Sequence, residues 1–60
     1  MTVTDWIVEE AEYQGDGYWA EYPPLAFRTK KEADDYVRLV ETNAQIGGKR
    51  KVRRVYADAA

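Results

Sequence analysis

The chain has 60 residues, of which 45% are hydrophobic and 33% charged, with a net charge of −2 at pH 7. Such a composition is typical of a globular chain, and this length forms one domain, residues 1–60, with a small core. The sequence contains no Ser, His or Cys, which excludes the common covalent nucleophiles, the preferred zinc ligands and disulfides. We therefore expect a protein that is not an enzyme and has no metal, no other cofactor and no small-molecule substrate.

The sequence also gives an expectation about location. The longest apolar run near the start is Trp6–Val8, whereas a membrane span needs about 20 apolar residues, and no stretch resembles a signal peptide. Together with the absence of cysteine, this favours a cytoplasmic protein without a membrane segment. Because so short a chain has few ways to stabilise itself, we expect it to associate with itself or with a protein partner.

A β-hairpin is predicted in the first half of the chain. Residues 6–13 and 18–22 are rich in aromatic and β-branched side chains, and the glycine-bearing loop Gln14–Gly17 separates them. Pro23 and Pro24 cannot donate a ladder hydrogen bond, so the second strand is expected to end there and the chain to leave the sheet.

One helix is predicted after the hairpin. Thr29 and Glu32 have the spacing of a capping box, in which each side chain satisfies a backbone N–H at the helix start. Behind this cap, helical spacing places apolar side chains on one stripe, formed by Ala33, Tyr36, Val37, Val40 and Ala44. Gly47 and Gly48 then favour a turn that ends the helix.

A third strand is predicted over Lys51–Ala57, which gives the order β-β-α-β. A right-handed crossover places this strand beside the first one, so we expect an α+β fold with a three-stranded antiparallel sheet in the order 2-1-3 and one helix on one face. Residues 1–27 carry a charge of −6 and residues 28–60 a charge of +4. The acidic first strand should therefore lie beside the basic third strand and form cross-strand pairs.

Aromatic side chains make up 13% of the chain, and one helix can cover only one face of the sheet. Aromatic residues alternate onto both faces, so some are exposed or buried by a partner, unless loops and long Lys or Arg side chains cover them. This leads to our main hypothesis, a protein-binding module that is either a homodimeric accessory protein or a modulator of a host protein. The residues expected to contact the partner are Trp6, Tyr18, Trp19 and Tyr22.

Residues 49–54 contain five cations, and this run gives a second hypothesis. It could neutralise phosphates, with the aromatic residues of the sheet as stacking platforms for nucleic-acid bases. The residues predicted for this nucleic-acid-binding site are Arg50, Lys51, Arg53 and Arg54. The alternative is that these cations neighbour the acidic first strand. A third hypothesis, an acidic mimic of nucleic acid, would rely on the six carboxylates of residues 1–27.

Two sequence motifs resemble known families. Gly17–Pro23 followed by Thr29–Ala33 resembles the Gly-Tyr-x-Ala strand and Thr-x-x-Glu-Ala helix of HicB-like antitoxins, which implies a β-β-α-β module and an antitoxin role. The Trp6–Val8 strand, the Thr29–Ala33 helix and the closing Arg54 and Val55 resemble small β-β-α-β proteins of actinobacteria and their tailed phages. This second resemblance implies a cytoplasmic accessory protein or a phage-encoded modulator of a host protein.

Overall fold

The computed structural model describes residues 4–59, so residues 1–3 and 60 of the predicted domain lie outside the described residues. One helix stands against an antiparallel sheet, which confirms the predicted α+β class. The elements in chain order are β1 (Thr4–Gly15), β2 (Tyr18–Glu21), β3 (Leu25–Phe27), α1 (Lys30–Gln45) and β4 (Arg50–Ala59). Within residues 4–59, no helix combines the length and the apolar character that a membrane span requires.

β1 is the central strand, and every other strand pairs with it in antiparallel orientation. Its residue Ala11 lies between Glu21 of β2 and Lys51 of β4. Trp6 lies in the same way between β3 and β4. Since one strand has only two edges, β2 and β3 must share one edge of β1 while β4 occupies the other. The predicted order 2-1-3 is therefore confirmed, with β4 as the third predicted strand.

The expectation that the chain leaves the sheet at Pro23 and Pro24 was wrong. The N–H of Tyr22 still donates to the carbonyl of Glu10 at 3.0 Å, and after the two prolines Leu25–Phe27 pairs with β1 again. Because an edge strand needs hydrogen bonds on only one side, the prolines interrupt the ladder without forcing the chain away. β2 and β3 are thus two parts of one broken edge strand.

β4 is longer than predicted and contains a β-bulge. It spans Arg50–Ala59 instead of Lys51–Ala57. Glu9 pairs with Arg54 and the next residue, Glu10, pairs with Val52, so Arg53 is the extra residue of the bulge.

The helix begins at the predicted cap. The Thr29 hydroxyl oxygen accepts the N–H of Glu32 at 3.1 Å, and the same hydroxyl donates to the Glu32 carboxylate at 3.1 Å. The Glu32 carboxylate was predicted to accept a backbone N–H. In the structure it accepts the Thr29 hydroxyl instead. At the other end, Gly47 has a φ of +101° and Gly48 donates its N–H to the carbonyl of Asn43 at 2.8 Å. The left-handed glycine turns the chain back towards β4.

Helix α1 packs on one face of the sheet, which we call the covered face. The Tyr36 hydroxyl donates to the Glu10 carboxylate, and the rings of Phe27 and Tyr36 lie 5.3 Å apart. The core between helix and sheet contains Val8, Ala33 and Val40, all buried. The predicted apolar stripe faces the sheet over most of its length, but Ala44 is exposed because a groove of about 160 Å³ opens between the last helical turn and β4.

Candidate functional site

Within residues 4–59, the opposite face of the sheet carries no helix, and we call it the uncovered face. Strand alternation places the odd-numbered residues of β1 on this face, and the pairing register adds their neighbours on the adjacent strands. Its members are Asp5, Ile7, Glu9, Ala11 and Tyr13 of β1, Trp19, Glu21 and Ala26 of β2 and β3, and Lys51, Arg54, Tyr56 and Asp58 of β4.

An aromatic pair lies at the hairpin end of the uncovered face. Tyr13 and Trp19 are directly paired across the strands, and their rings lie 5.1 Å apart. The Tyr13 hydroxyl accepts the N–H of Gly17 at 3.0 Å, so the turn fixes the position of this ring. Asp16 and Gly17 both have positive φ values, +54° and +79°, which closes the tight turn. Trp19 remains 37% exposed and presents a rigid apolar surface.

The middle of the uncovered face is almost inaccessible to solvent, although α1 does not cover it. Ile7 is 9% exposed and Ala11 is 0% exposed. Ile7 has Ala26 and Tyr56 as cross-strand neighbours on this face, and such pairs cover one another. The face therefore has a small-residue centre and aromatic side chains towards its ends.

A charged cluster crosses the uncovered face between β1 and β4. Arg54 donates from Nε and Nη2 to the two oxygens of the Glu9 carboxylate, each at 3.1 Å. Its guanidinium lies 4.2 Å from the ring centre of Tyr56, whose hydroxyl donates to Glu9 at 3.3 Å. The Glu9 carboxylate raises the pKa of Arg54 by accepting these hydrogen bonds and by its charge. The predicted pairing of the acidic first strand with the basic third strand is confirmed here.

The two edges of the uncovered face carry opposite charges. Glu21 and Lys51 flank Ala11 from the β2 side and the β4 side. Arg53 lines a depression of about 140 Å³ together with Glu9 and Glu21, which places the bulge residue on the same face. Around Ala11 the β4 edge is therefore basic and the β2 edge acidic, whereas Asp58 adds a carboxylate at the far end of β4.

The covered face holds a second polar cluster, which joins the sheet to the helix. Glu10 is only 3% exposed and accepts the Tyr36 hydroxyl at 2.8 and 2.7 Å. Tyr22 donates its hydroxyl to Glu12 at 2.8 Å, and the Arg50 guanidinium lies 4.0 Å from the ring centre of Tyr22. Among the described residues, every buried side-chain N or O atom has a hydrogen-bond partner. This cluster stabilises the contact between α1 and the sheet.

The pKa shifts in this second cluster follow from the same contacts. Burial raises the pKa of Tyr36, and the hydrogen bond to Glu10 raises it further. The Tyr22 hydroxyl lowers the pKa of Glu12 by donating to its carboxylate. The side chains of Tyr22 and Tyr36 raise the pKa of Arg50. These contacts therefore favour the neutral phenol of Tyr36, the ionised carboxylate of Glu12 and the charged guanidinium of Arg50.

A groove of about 590 Å³ lies beside this cluster, between the second half of α1 and the start of β4. Its walls include Leu39 and Asn43 of the helix and Lys49 before β4. The groove also reaches Glu12, Tyr36 and Arg50, whose polar groups already interact within the second cluster.

The four residues predicted to contact a partner do not form one surface. Trp19 lies on the uncovered face, whereas Tyr18 follows the alternation to the other side of the hairpin and is 57% exposed. Trp6 and Tyr22 lie on the covered face and are half-buried. The ammonium group of Lys30 stands 6.0 Å from the ring centre of Trp6, and Tyr22 is held by Glu12.

Sequence reasoning missed the neighbours of Trp19 on the uncovered face. Ile7, Tyr13 and Tyr56 share that face. The odd-numbered alternation in β1 could have identified Ile7 and Tyr13. The face on which Tyr56 lies relative to Lys51 depends on the bulge at Arg53, and no residue pattern predicts that bulge.

The four predicted cations are also divided. Arg50 lies on the covered face against Tyr22, while Lys51, Arg53 and Arg54 lie on the uncovered face. Of these three, Arg54 is already paired with Glu9.

Comparison of the chain with models of known protein families, with curated proteins and with solved structures finds no match. The resemblances to HicB-like antitoxins and to small proteins of actinobacteria and their phages therefore stay predictions.

Proposed function

We propose that this protein is a non-catalytic protein-binding module and that the uncovered face is its binding surface. The observation that carries the proposal is the aromatic content of a sheet face without a helix. Tyr13, Trp19 and Tyr56 all lie there. Tyr, Trp and Arg are the residues most enriched at the centres of protein interfaces, and this face offers them on a rigid sheet.

The charge pattern of the uncovered face also supports a protein partner. The partly exposed rings of Tyr13, Trp19 and Tyr56 share this face with Glu21 on the β2 side and with the cations of β4 on the other. Aromatic side chains together with a charged rim are the usual anatomy of an interface between proteins. A cytoplasmic accessory protein or a phage-encoded modulator of a host protein would fit this proposal.

The nucleic-acid hypothesis has less support. Binding to phosphates needs several free cations on one surface, and the affinity grows with the number of phosphates neutralised. Arg50 points to the other side of the sheet, and Arg54 is paired with Glu9. Lys51 and Arg53 then share their face with Glu9 and Glu21. A mobility-shift titration at low salt tests this alternative, which predicts retardation of single-stranded DNA or RNA.

Two alanine substitutions test the protein-binding proposal with a matched control. Ala26 and Ala57 are both exposed and lie in edge strands, Ala26 on the uncovered face beside Ile7 and Ala57 on the covered face beside Trp6. Ala26→Lys adds a long charged side chain to the proposed surface without removing a contact. Ala57→Lys makes the same change on the opposite face.

The tagged chain is purified from its native cells, in which a second copy with a different tag is also expressed. Quantitative mass spectrometry then measures which proteins, the second copy among them, co-purify with it. We expect wild type and Ala57→Lys to retain the same protein and Ala26→Lys to lose it, with circular dichroism showing that all three are folded. Retention of that protein by folded Ala26→Lys would contradict the proposal.

A further inference from the structure

We infer that the partner on the uncovered face is a second copy of this chain, packed face to face about a two-fold axis that runs parallel to the strands. The inference rests on the proposed function, because it uses the same surface. Four features of the molecule support it: its surface area, its protected edges, its charge pattern and the size of its central residues.

The exposed surface is larger than a compact monomer of this mass requires. The chain has a mass of 6.9 kDa and an accessible area of 4650 Å². The usual relation between mass and area gives about 4000 Å² for a folded monomer of this size. The excess of about 650 Å² is close to the 800 Å² or so that one partner contributes to a standard interface.

The shape of the molecule explains this excess. Its Cα atoms occupy a slab of 46 × 20 × 11 Å. With a rise of about 3.3 Å per residue, the 12 residues of β1 run for about 40 Å, and the uncovered face extends along most of that length. A second copy laid on this face would turn a thin slab into a two-sheet sandwich with helices outside.

Both edges of the sheet are poorly suited to a second copy, which directs it to the face. Pro23 and Pro24 interrupt the edge formed by β2 and β3. The β4 edge has a bulge and carries Lys51, Arg53 and Arg54, so that antiparallel pairing of two β4 strands would bring like charges together. Prolines, bulges and cations are the devices by which proteins protect sheet edges.

The charges of the uncovered face are complementary to those of a second copy in one orientation. A two-fold axis parallel to the strands places β4 of one copy over β2 and β3 of the other. In the row that contains Ala11, Lys51 then meets Glu21 of the partner subunit, and the same pair forms again on the other side. Near the axis, Glu9 brings no net charge because Arg54 neutralises it within each copy. The exception is Asp5 at the far end of the face, which would lie opposite Asp5 of the partner subunit.

A two-fold axis perpendicular to the strands would have the opposite effect. It would place β4 over β4, so that the basic strands of the two copies lie over each other. Like charges across an interface disfavour association, so the parallel axis is the favoured one.

The central residues have the size that close packing of two sheets needs. Packed sheets lie about 10 Å apart with their strands nearly aligned. Ala11, which is already buried within its own sheet, would lie opposite Ala11 of the partner subunit, and the larger Tyr56 would lie opposite Ala26 of the partner subunit. On each side of the axis a large side chain thus meets a small one.

Charge reversal tests this geometry. Glu21→Lys and Lys51→Glu each create two like-charge contacts in a homodimer, so each variant should raise the dimer dissociation constant by about tenfold or more. An equimolar mixture of the two variants restores opposite charges at both contacts and should form a one-to-one heterodimer. Sedimentation equilibrium measures the affinities, and native mass spectrometry distinguishes the heterodimer by its mass. Glu41→Lys, the same change at an exposed position of α1, is the control and should dimerise like wild type.

The outcomes separate this inference from the proposed function. A wild-type chain that stays monomeric throughout the micromolar range overturns the dimer. So does a mixture that fails to associate although circular dichroism shows both variants folded. If the chain is monomeric while Ala26→Lys still loses a co-purified protein, the uncovered face binds a different partner and the proposed function stands. If dimerisation survives both Ala26→Lys and the charge reversals, both proposals fail.

Discussion

Two neighbouring glutamates on opposite faces of β1 have partners from different parts of the molecule. Glu10 on the covered face is buried and held by Tyr36, which comes from the helix. Glu9 on the uncovered face is held by Arg54, which comes from the adjacent strand of the same sheet. One contact ties two layers together, while the other only balances charge within one layer. We therefore expect substitutions on the covered face to change folding stability and those on the uncovered face to change association.

The largest effect should come from Val8, the fully buried side chain between helix and sheet. Val8→Ala leaves a cavity and should lower the free energy of unfolding by about 2–3 kcal/mol. That is a large part of the stability of about 3–9 kcal/mol expected for a domain of this length. Urea denaturation measures the loss, and Val37→Ala, at a half-buried helix position, should cost less. An equal loss in both variants would contradict the central place of Val8 in this core.

A smaller effect is expected for Tyr36→Phe. It removes the hydroxyl that donates to the buried Glu10 carboxylate and should cost about 1–2 kcal/mol. The matched control is Tyr18→Phe, since the Tyr18 side chain is 57% exposed, and we expect it to unfold at the same urea concentration as wild type. In the Glu10→Leu background, Tyr36→Phe should lose most of its effect, because the carboxylate that needed the donor is gone. A full effect in that background would show that the two side chains are not coupled.

On the uncovered face, Arg54→Gln should change monomer stability less than Tyr36→Phe does. The Arg54 side chain is largely exposed, and exposed ion pairs stabilise proteins weakly. Any difference from wild type in the urea midpoint should shrink as salt is added, because ions screen surface charges. A midpoint shift as large as that of Tyr36→Phe, and independent of salt, would remove the distinction between the two faces.

The smallest effect concerns acid stability at Glu12, near the end of the covered face. Tyr22 lowers the pKa of Glu12 from its ordinary value of 4.5, so the folded state favours the ionised carboxylate. The resulting stabilisation is complete above the unfolded-state pKa and is lost as the pH falls through the lowered, folded-state pKa. Glu12→Gln should therefore flatten the loss of stability below pH 4.5, as followed by thermal unfolding at stepped pH. A steeper acid loss in the variant would reverse this assignment.

The elements with local signals could be predicted from the sequence. The hairpin, the Thr29 cap and the crossover to β4 each follow from residue types at fixed spacing. β3 could not be predicted in the same way, because three residues after two prolines carry no period of their own. Its pairing depends on β1, which already lies beside it.

The candidate site was only partly predictable, because the faces of a sheet depend on register. Trp19 came from simple alternation. Trp6 and Tyr22 fell on the covered face, since they pair on the same side as the residues that touch α1. The bulge at Arg53 shifts the register of β4. A rule based on residue type cannot locate such a shift without the partner strand.

That bulge explains how β4 places its valines against the helix and its cations on the opposite face. Val52 and Val55 are three positions apart, and in a regular strand they would point in opposite directions. The additional residue lets both face the helix, at the positions paired with Glu10 and Val8. If Arg53 took a regular place in the alternation instead, it would point towards the helix, Val52 would point outward and Lys51 inward. The one-residue bulge therefore keeps the valines in the core and the neighbouring cations on the outer surface.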